Sequence, residues 1–307
     1  MKQEFAYLSK DGHTRIHAVE WIPEKEVKAV LQISHGMVEY IERYDAFASY
    51  LAERGYYVTG QDHLGHGKSA VSDSELGYFG KREGNACVIG DIETLRELTQ
   101  KKYPDKPYFM LGHSMGSFLL RQYLKRYGEG LSGAIIMGTG YHSSAELYAG
   151  KTLCRIFSKI KGDHYRSRLV NRLAFGSYNK KFRPVRTEAD WLSKDREIVD
   201  AYVKNKWCTF IFTVNAYENM FTGMLELTGK SGMSGIPKEL PVFFVAGKDD
   251  PVGNFGKSVV KVYKEYQNLG MKDVSIKLYK DDRHEILNET DRYQVYEDLY
   301  RWMNQRF

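Results

Sequence analysis

Cysteine is scarce in this chain of 307 residues. Cys87, Cys154 and Cys208 form an odd set without metal-type spacing, so neither a disulfide framework nor a zinc site is indicated, and a reducing compartment is expected. Long apolar runs are missing as well. No stretch approaches the roughly 18 residues of a membrane span, and the start, Met1-Lys2-Gln3-Glu4-Phe5-Ala6-Tyr7, has no apolar core of the kind a secretory leader carries. The expectation is a soluble cytoplasmic protein. There is no internal repeat and no low-complexity linker. What is present is an ordinary globular composition, 42% hydrophobic and 27% charged, which excludes a disordered or fibrous chain. The length is large for one core and small for two, so one domain carrying an insertion is expected.

Hydrophobic patterning orders the elements. Residues 4–8 and Thr14 to Ile22 read as two strands joined by a turn at Asp11-Gly12. Ala29 to Ser34 is a mostly apolar run of the kind buried on both faces of a sheet, and it ends at His35-Gly36-Met37. A helical stretch follows from Ile41 to Arg54, with Tyr44, Phe47, Ala48 and Leu51 along one face and Gly55 as its stop. Tyr56 to Asp62 is again strand-like. A helix from Asn85 to Lys102 leads into Tyr108 to Leu111, and Leu131 to Met137 closes the first half at Gly138-Thr139-Gly140. The rhythm resumes only at Pro241 to Gly247, followed by a helix near Gly256 to Asn268, a strand at Val274 to Tyr279 and a helix from Asp291 to Arg301. Such alternation predicts an α/β fold with right-handed crossovers in a mostly parallel sheet. It divides the chain into a first core part, residues 1–140, a helical cap, residues 141–237, and a second core part, residues 238–307.

The chemistry begins at Gly112-His113-Ser114-Met115-Gly116, where the apolar run meets a helical pattern. Gly-x-Ser-x-Gly at a strand-to-helix turn is a nucleophile elbow: the serine hydroxyl projects above the sheet, and the glycines let strand and helix approach closely. The Met115 N–H, at the start of the helix, then points toward a developing oxyanion. A serine hydroxyl needs a general base, and the base needs an orienting acid. In chain order these are Ser, then Asp or Glu, then His. Asp249-Asp250-Pro251 follows one late apolar strand and His284 follows the next. After Gly138 no carboxylate occurs before Glu146, which removes the main competing place for the acid. Of nine histidines, only His284 lies last in chain order and after the final strand. His63 and His66 read as residues that shape their glycine-rich turn, His35 as one that arranges the oxyanion loop, and His113 as one that packs or donates a hydrogen bond behind the serine. The implied mechanism needs no metal and no organic cofactor.

Ser34-His35-Gly36-Met37, then Glu39, Arg43-Tyr44, Asp62-His63-Leu64-Gly65-His66-Gly67-Lys68-Ser69 and the elbow together resemble the monoacylglycerol lipase and lysophospholipase branch of the α/β-hydrolases. The resemblance covers roughly residues 14–140 and 238–305. It implies an α/β-hydrolase fold and a serine carboxylester hydrolase acting on monoacylglycerol, lysophospholipid or similar single-acyl esters through an acyl-enzyme. Its Gly-x-x-Asp pattern selects Asp250 over Asp249, its histidine falls on His284, and its oxyanion hole falls on the backbone N–H groups of Met37 and Met115. A small residue is frequent in that branch where this chain has Met37, which narrows the expected acyl pocket. The resemblance does not reach the cap. Two alternatives remain: an aminopeptidase-type peptidase of the same fold, which would need a cap carboxylate such as Glu146, Asp163, Glu188, Asp190 or Glu218 for a free amino group, and a non-catalytic ligand-binding module.

The cap has its own pattern. Between Lys151 and Arg186 there are eleven Lys and Arg against one acid, Asp163. Leu153, Ile156, Phe157 and Ile160 share a helical face that Lys151, Arg155, Lys159 and Lys161 do not, which predicts either transient contact with an anionic membrane surface or a solvated lid face. Nucleic-acid binding is not expected, because no known module accompanies the charge. In the stretch Thr209 to Leu227, Phe210, Val214, Tyr217, Phe221 and Met224 fall at helical spacing. They form a candidate substrate-facing stripe, with simple core packing as the competing reading.

Overall fold

The computed structural model describes residues 1–229, 232 and 234–307. An antiparallel hairpin opens the chain, β1 (Lys2–Leu8) pairing with β2 (Arg15–Trp21) so that Lys2 faces Trp21 and Leu8 faces Arg15. Asp11 closes its turn by accepting from the backbone N–H groups of His13 and Thr14. The remaining strands are β3 (Ala29–Ser34), β4 (Tyr56–Gln61), β5 (Tyr108–His113), β6 (Gly133–Met137), β7 (Val242–Gly247) and β8 (Val274–Tyr279). They form one sheet in the order β1-β2-β4-β3-β5-β6-β7-β8. β2 meets β4 antiparallel, and every neighbour from β4 to β8 is parallel. Strands β3 to β7 are buried along their whole length, as their nearly continuous apolar sequences require of a sheet covered on both faces.

Two helical layers cover it. α1 (Asp45–Ala52) lies on one face together with α9 (Arg292–Asn304), packed on alternate strand residues such as Leu31, Phe109, Ile135 and Val245. α2 (Gly84–Lys102), α3 (Met115–Tyr127) and α8 (Lys257–Asn268) take the other face, on Val30, Met110, Ile136 and Phe244. Between β6 and β7 the chain leaves the sheet and builds α4 (Ser144–Lys161), α5 (Arg168–Phe175), α6 (Arg196–Lys204) and α7 (Val214–Leu225). α4 starts at a capping box, Ser143 with Glu146, the device that satisfies the free N–H groups of a first turn.

One cap expectation needs correction. The stretch from Thr209 is not helical until Val214, because the Thr213 hydroxyl donates to Gly77 O at 2.6 Å and caps α7 by accepting from Ala216 N–H at 3.2 Å. Phe210 therefore precedes the helix and lies off its stripe. On α4, Leu153 and Phe157 are half-buried, whereas Ile156 and Ile160 are 48% and 69% exposed beside the lysines.

Where β3 and β4 end, three histidines are buried in contact, His35 with ring centroids 4.3 Å from His63 and 5.1 Å from His66. His35 Nε2 accepts from His63 N–H at 3.0 Å, and His66 Nε2 accepts from Val38 N–H at 3.3 Å. A nitrogen that accepts a backbone N–H carries no proton, so both rings are neutral, each donating from Nδ1 to a carbonyl, Gly36 O and Leu64 O. Burial and the neighbouring His35 ring push His66 down to about 3, against weaker raising by the Leu64 carbonyl, Asp62 and Glu39. An unfolded chain takes up that proton below about 6.5, so the stability from neutral His66 is complete above 6.5 and is lost as pH falls toward 3. Unfolding free energies by urea titration at pH 7, 6 and 5 should show the advantage of wild type over His66→Gln narrowing by about 1.4 kcal/mol per pH unit below 6.5.

Candidate active site

Ser114 stands at the junction of β5 and α3 with φ 54° and ψ −118°, a conformation that L-residues rarely adopt and that marks a strained turn. Its N–H donates to Met137 O at 3.0 Å, and its carbonyl accepts from Ser117 N–H at 2.9 Å. The turn closes only because its flanks are bare. A Cβ at Gly116 would lie 2.0 Å from Ser34 O, and one at Gly112 would lie 2.3 Å from Gly116 O, so no larger residue fits either position.

The two late loops meet beside it. His284 Nδ1 and Asp250 Oδ2 are 3.0 Å apart, both groups buried, and Asp250 Oδ1 accepts from Val252 N–H at 2.8 Å. Asp249 is half-buried and its N–H is bound to Asp282 O. A side chain at Gly138 would come within 3.1 Å of His284 Cε1, so the glycine at the end of β6 leaves room for the imidazole. The insertion supports the same loop: Glu285 N–H donates to Leu192 O at 2.8 Å, and the Trp191 ring lies 5.0 Å from the His284 ring. Lys194 Nζ bonds Asp282 at 2.6 Å, and the Arg283 guanidinium bonds the Asp190 and Ser193 carbonyls.

Gly36, Met37 and Val38 run past Ser114 on its other side, with a Cβ at Gly36 placed 3.1 Å from Ser114 Cβ. Val38 has φ 56°, which is costly for a β-branched residue. It is held from both sides, by His66 at its N–H and by the Tyr202 hydroxyl of α6, which donates to its carbonyl at 3.0 Å.

Two cavities open from Ser114. The first, of about 470 Å³, is walled by Leu153, Leu173, Phe175, Phe221 and Met224 and reaches Met37, Ser114 and Met115. The second, of about 500 Å³, includes Ser114 and His284 and presents Asn171, Thr187, Glu188 and Thr209. The five residues of the expected stripe divide. Phe221 and Met224 line the first cavity, Phe210 lines the second, and Val214 and Tyr217 are fully buried in packing. Sequence reasoning missed Leu153, Leu173 and Phe175 as cavity wall and Thr187 and Asn171 as its polar counterpart. The signal available for the first group was the apolar spacing along α4 and α5. For the second there was none, since isolated polar residues in a basic segment read as solvated.

Comparison with known proteins agrees with this architecture. A family model described as serine aminopeptidase, S33 matches residues 25–291. The chain is 25% identical over 296 residues to the monoacylglycerol lipase of Mycolicibacterium smegmatis, covering 95% of this chain and 94% of that one, and 26% identical to the monoglyceride lipase of Rattus norvegicus, covering 93% and 86%. Among solved structures it resembles a highly thermostable carboxyl esterase from Bacillus coagulans in complex with glycerol, with a TM-score of 0.92 and 28% identity over 99% of this chain and 98% of that one. A lipase in an open form has a TM-score of 0.88 at 26% identity, with 99% of each chain covered. The chain belongs to the serine aminopeptidase, S33 family of the α/β-hydrolases, a hydrolytic enzyme with lipases and esterases among its relatives.

Proposed function

We propose that this enzyme hydrolyses esters of an apolar acyl chain with a small polar alcohol, of the monoacylglycerol type, through Ser114, His284 and Asp250. The observation that carries the reading is that two cavities meet at Ser114, one walled mostly by apolar side chains and one of mixed lining that presents Asn171, Thr187, Glu188 and Thr209. His284 takes the hydroxyl proton as Ser114 attacks the carbonyl, and the N–H groups of Met37 and Met115 hold the oxyanion. His284 then gives its proton to the departing oxygen, so the alcohol leaves on the imidazole side. That side is the second cavity, of mixed lining, whose wall includes His284. The acyl group is left for the apolar cavity until water, activated by the same imidazole, releases it. Asp250, bonded to Nδ1, keeps Nε2 free to act and stabilises the imidazolium.

A peptidase is the second reading, favoured by Glu188 in the wall of the second cavity. Glu146 borders the first cavity but is bonded to Ser143, and the other carboxylates considered for an amino group are engaged elsewhere: Asp163 with Ser158, Asp190 with Thr187 and Glu218 with Arg155. The basic cap fits an anionic lipid surface. Ile156, Ile160, Leu169 and Leu173 are exposed among Lys159, Lys161, Arg168 and Arg172, an apolar and cationic mixture suited to an interface, and Leu173 also borders the acyl cavity.

Three measurements test these readings. Turnover should be highest for long-chain monoacylglycerols, low for amino-acid amides and absent in Ser114→Ala; amides turned over faster than esters would favour the peptidase. Asp250→Asn should lower kcat by on the order of 10⁴, with Asp249→Asn costing far less, and the reverse order would move the acid by one residue. Replacing Lys159, Lys161, Arg168 and Arg172 by Gln should raise KM several-fold on anionic vesicles and leave a small neutral ester unaffected. Added salt, which shortens the Debye length below roughly 8 Å, should reproduce that loss in wild type, and equal kinetics throughout would mark the patch as a solvated face.

A further inference from the structure

The mechanism proposed above needs two peptide units held still, the one that aims the Met37 N–H and the one that carries His284. The carbonyl of the first, Gly36 O, accepts from His35 Nδ1, while the peptide just before it and, through Arg43 and His113, the second are tied to a single buried carboxylate. Glu39 Oε1 accepts from Gly36 N–H at 2.5 Å, from the Tyr44 hydroxyl at 2.9 Å and from His113 Nδ1 at 3.1 Å. Its other oxygen accepts from Arg43 at 2.9 Å, and Arg43 forks onto both oxygens of Glu285, the residue after His284, at 2.6 Å each. His113 completes the circuit, since its Nε2 lies 3.3 Å from the carbonyl oxygen of His284.

The proton inventory gives this circuit a direction. The Tyr44 proton goes to Glu39, so it does not reach His113 Nδ1. Both nitrogens of His113 then face acceptors, a carboxylate and a carbonyl, and a ring that donates from both is an imidazolium. Burial opposes that charge, but the hydrogen bond and field of Glu39, with the charge of Glu285, outweigh it and raise the His113 pKa. Two carboxylates, Glu39 and Glu285, thus face Arg43 and His113 in a largely buried cluster at the edge of the second cavity. Such a buried network rigidifies what it touches when fully satisfied, and it is costly to break from one side.

We propose that Glu39 is the positioning residue of the reaction, a buried anion that through Gly36 aims the oxyanion loop and through Arg43 and His113 fixes the backbone of the base. The inference rests on Ser114 as nucleophile and Met37 as oxyanion donor. Glu39 borders the second cavity, but both its oxygens are taken up by Gly36, Tyr44, His113 and Arg43, so loss of its charge weakens transition-state stabilisation more than ground-state binding.

The test uses the full chain and a p-nitrophenyl ester, with active sites counted by fluorophosphonate labelling of Ser114. Glu39→Gln keeps the size of the side chain and an acceptor for Gly36 N–H, but leaves Arg43 and His113 without their anion. It should lower kcat per labelled site by on the order of 10- to 100-fold, hold KM within about two-fold and weaken an alkyl boronic acid, whose tetrahedral adduct fills the oxyanion hole, in parallel with kcat. Arg43→Lys tests the same link independently, because one ammonium cannot span Glu39 and both oxygens of Glu285, and the same loss in kcat is expected; if Glu39→Gln does not fold, this variant decides alone. Wild-type kcat in the folded variants, or a loss confined to KM, would overturn the proposal. A Ser114→Ala variant that keeps wild-type turnover would overturn the reading beneath it, and the inference with it.

Discussion

The structure turns on one close approach, that of α3 to the ends of β3 and β5. With Ser34 O, His35 O and the elbow backbone filling the space where Cβ atoms of Gly112 and Gly116 would sit, the helix is drawn against the sheet, and the turn between them is forced into the strained conformation of Ser114. Because β3 lies directly beside β5, the loop leaving β3 passes within van der Waals distance of the serine. The strain, of order 1–3 kcal/mol for such a residue, is sustained by the fully buried parallel strands on either side.

Around that turn the protein uses histidines in two opposite electrostatic settings. His35 and His66 are neutral because their Nε2 atoms accept backbone N–H groups in a fully desolvated cluster. His113, buried to a similar degree, faces a carboxylate and a carbonyl, and Glu39 raises its pKa against the effect of burial. Sequence context does not separate them, since each sits among glycines and small residues near a strand end. What separates them is the partner at each nitrogen, which the packing of other segments decides.

The insertion is likewise of two kinds. Its later part, from Asp190 to Thr213, is fastened to the histidine loop and the oxyanion loop by backbone pairing at Leu192, the Tyr202 hydroxyl and the Lys194 ion pair. Its earlier part, α4 and α5, covers the apolar cavity from outside and shows isoleucines and leucines to solvent. The first is continuous with the catalytic framework in rigidity. The second is a surface, and surfaces of mixed apolar and cationic character are stable only because water tolerates scattered apolar side chains.

The order of strands and helices was legible in the sequence almost throughout: the hairpin at Asp11-Gly12, the strand at Val274 and the long helix ending at Lys102 all stand close to where periodicity puts them, because apolar spacing records which face of an element is covered. The chain order of Ser114, Asp250 and His284 was legible too, as a resemblance of motifs. Periodicity does not record what covers a face. It put Ile156 and Ile160 on one face with Leu153 and Phe157 although only the latter two are covered, and it joined Phe210 to a helix that Thr213 begins three residues later. The pairing of Asp250 with His284 across 34 positions, and of Arg43 with Glu285 across 242, leaves no local pattern, since those contacts arise only when sheet order brings the strand ends together. The sequence by itself determined the elements and the kinds of reactive group. Tertiary structure alone decided which carboxylate faces which cation and on which side of Ser114 the apolar and the mixed cavity open, because burial and hydrogen-bond partners are properties of the assembled sheet and cap.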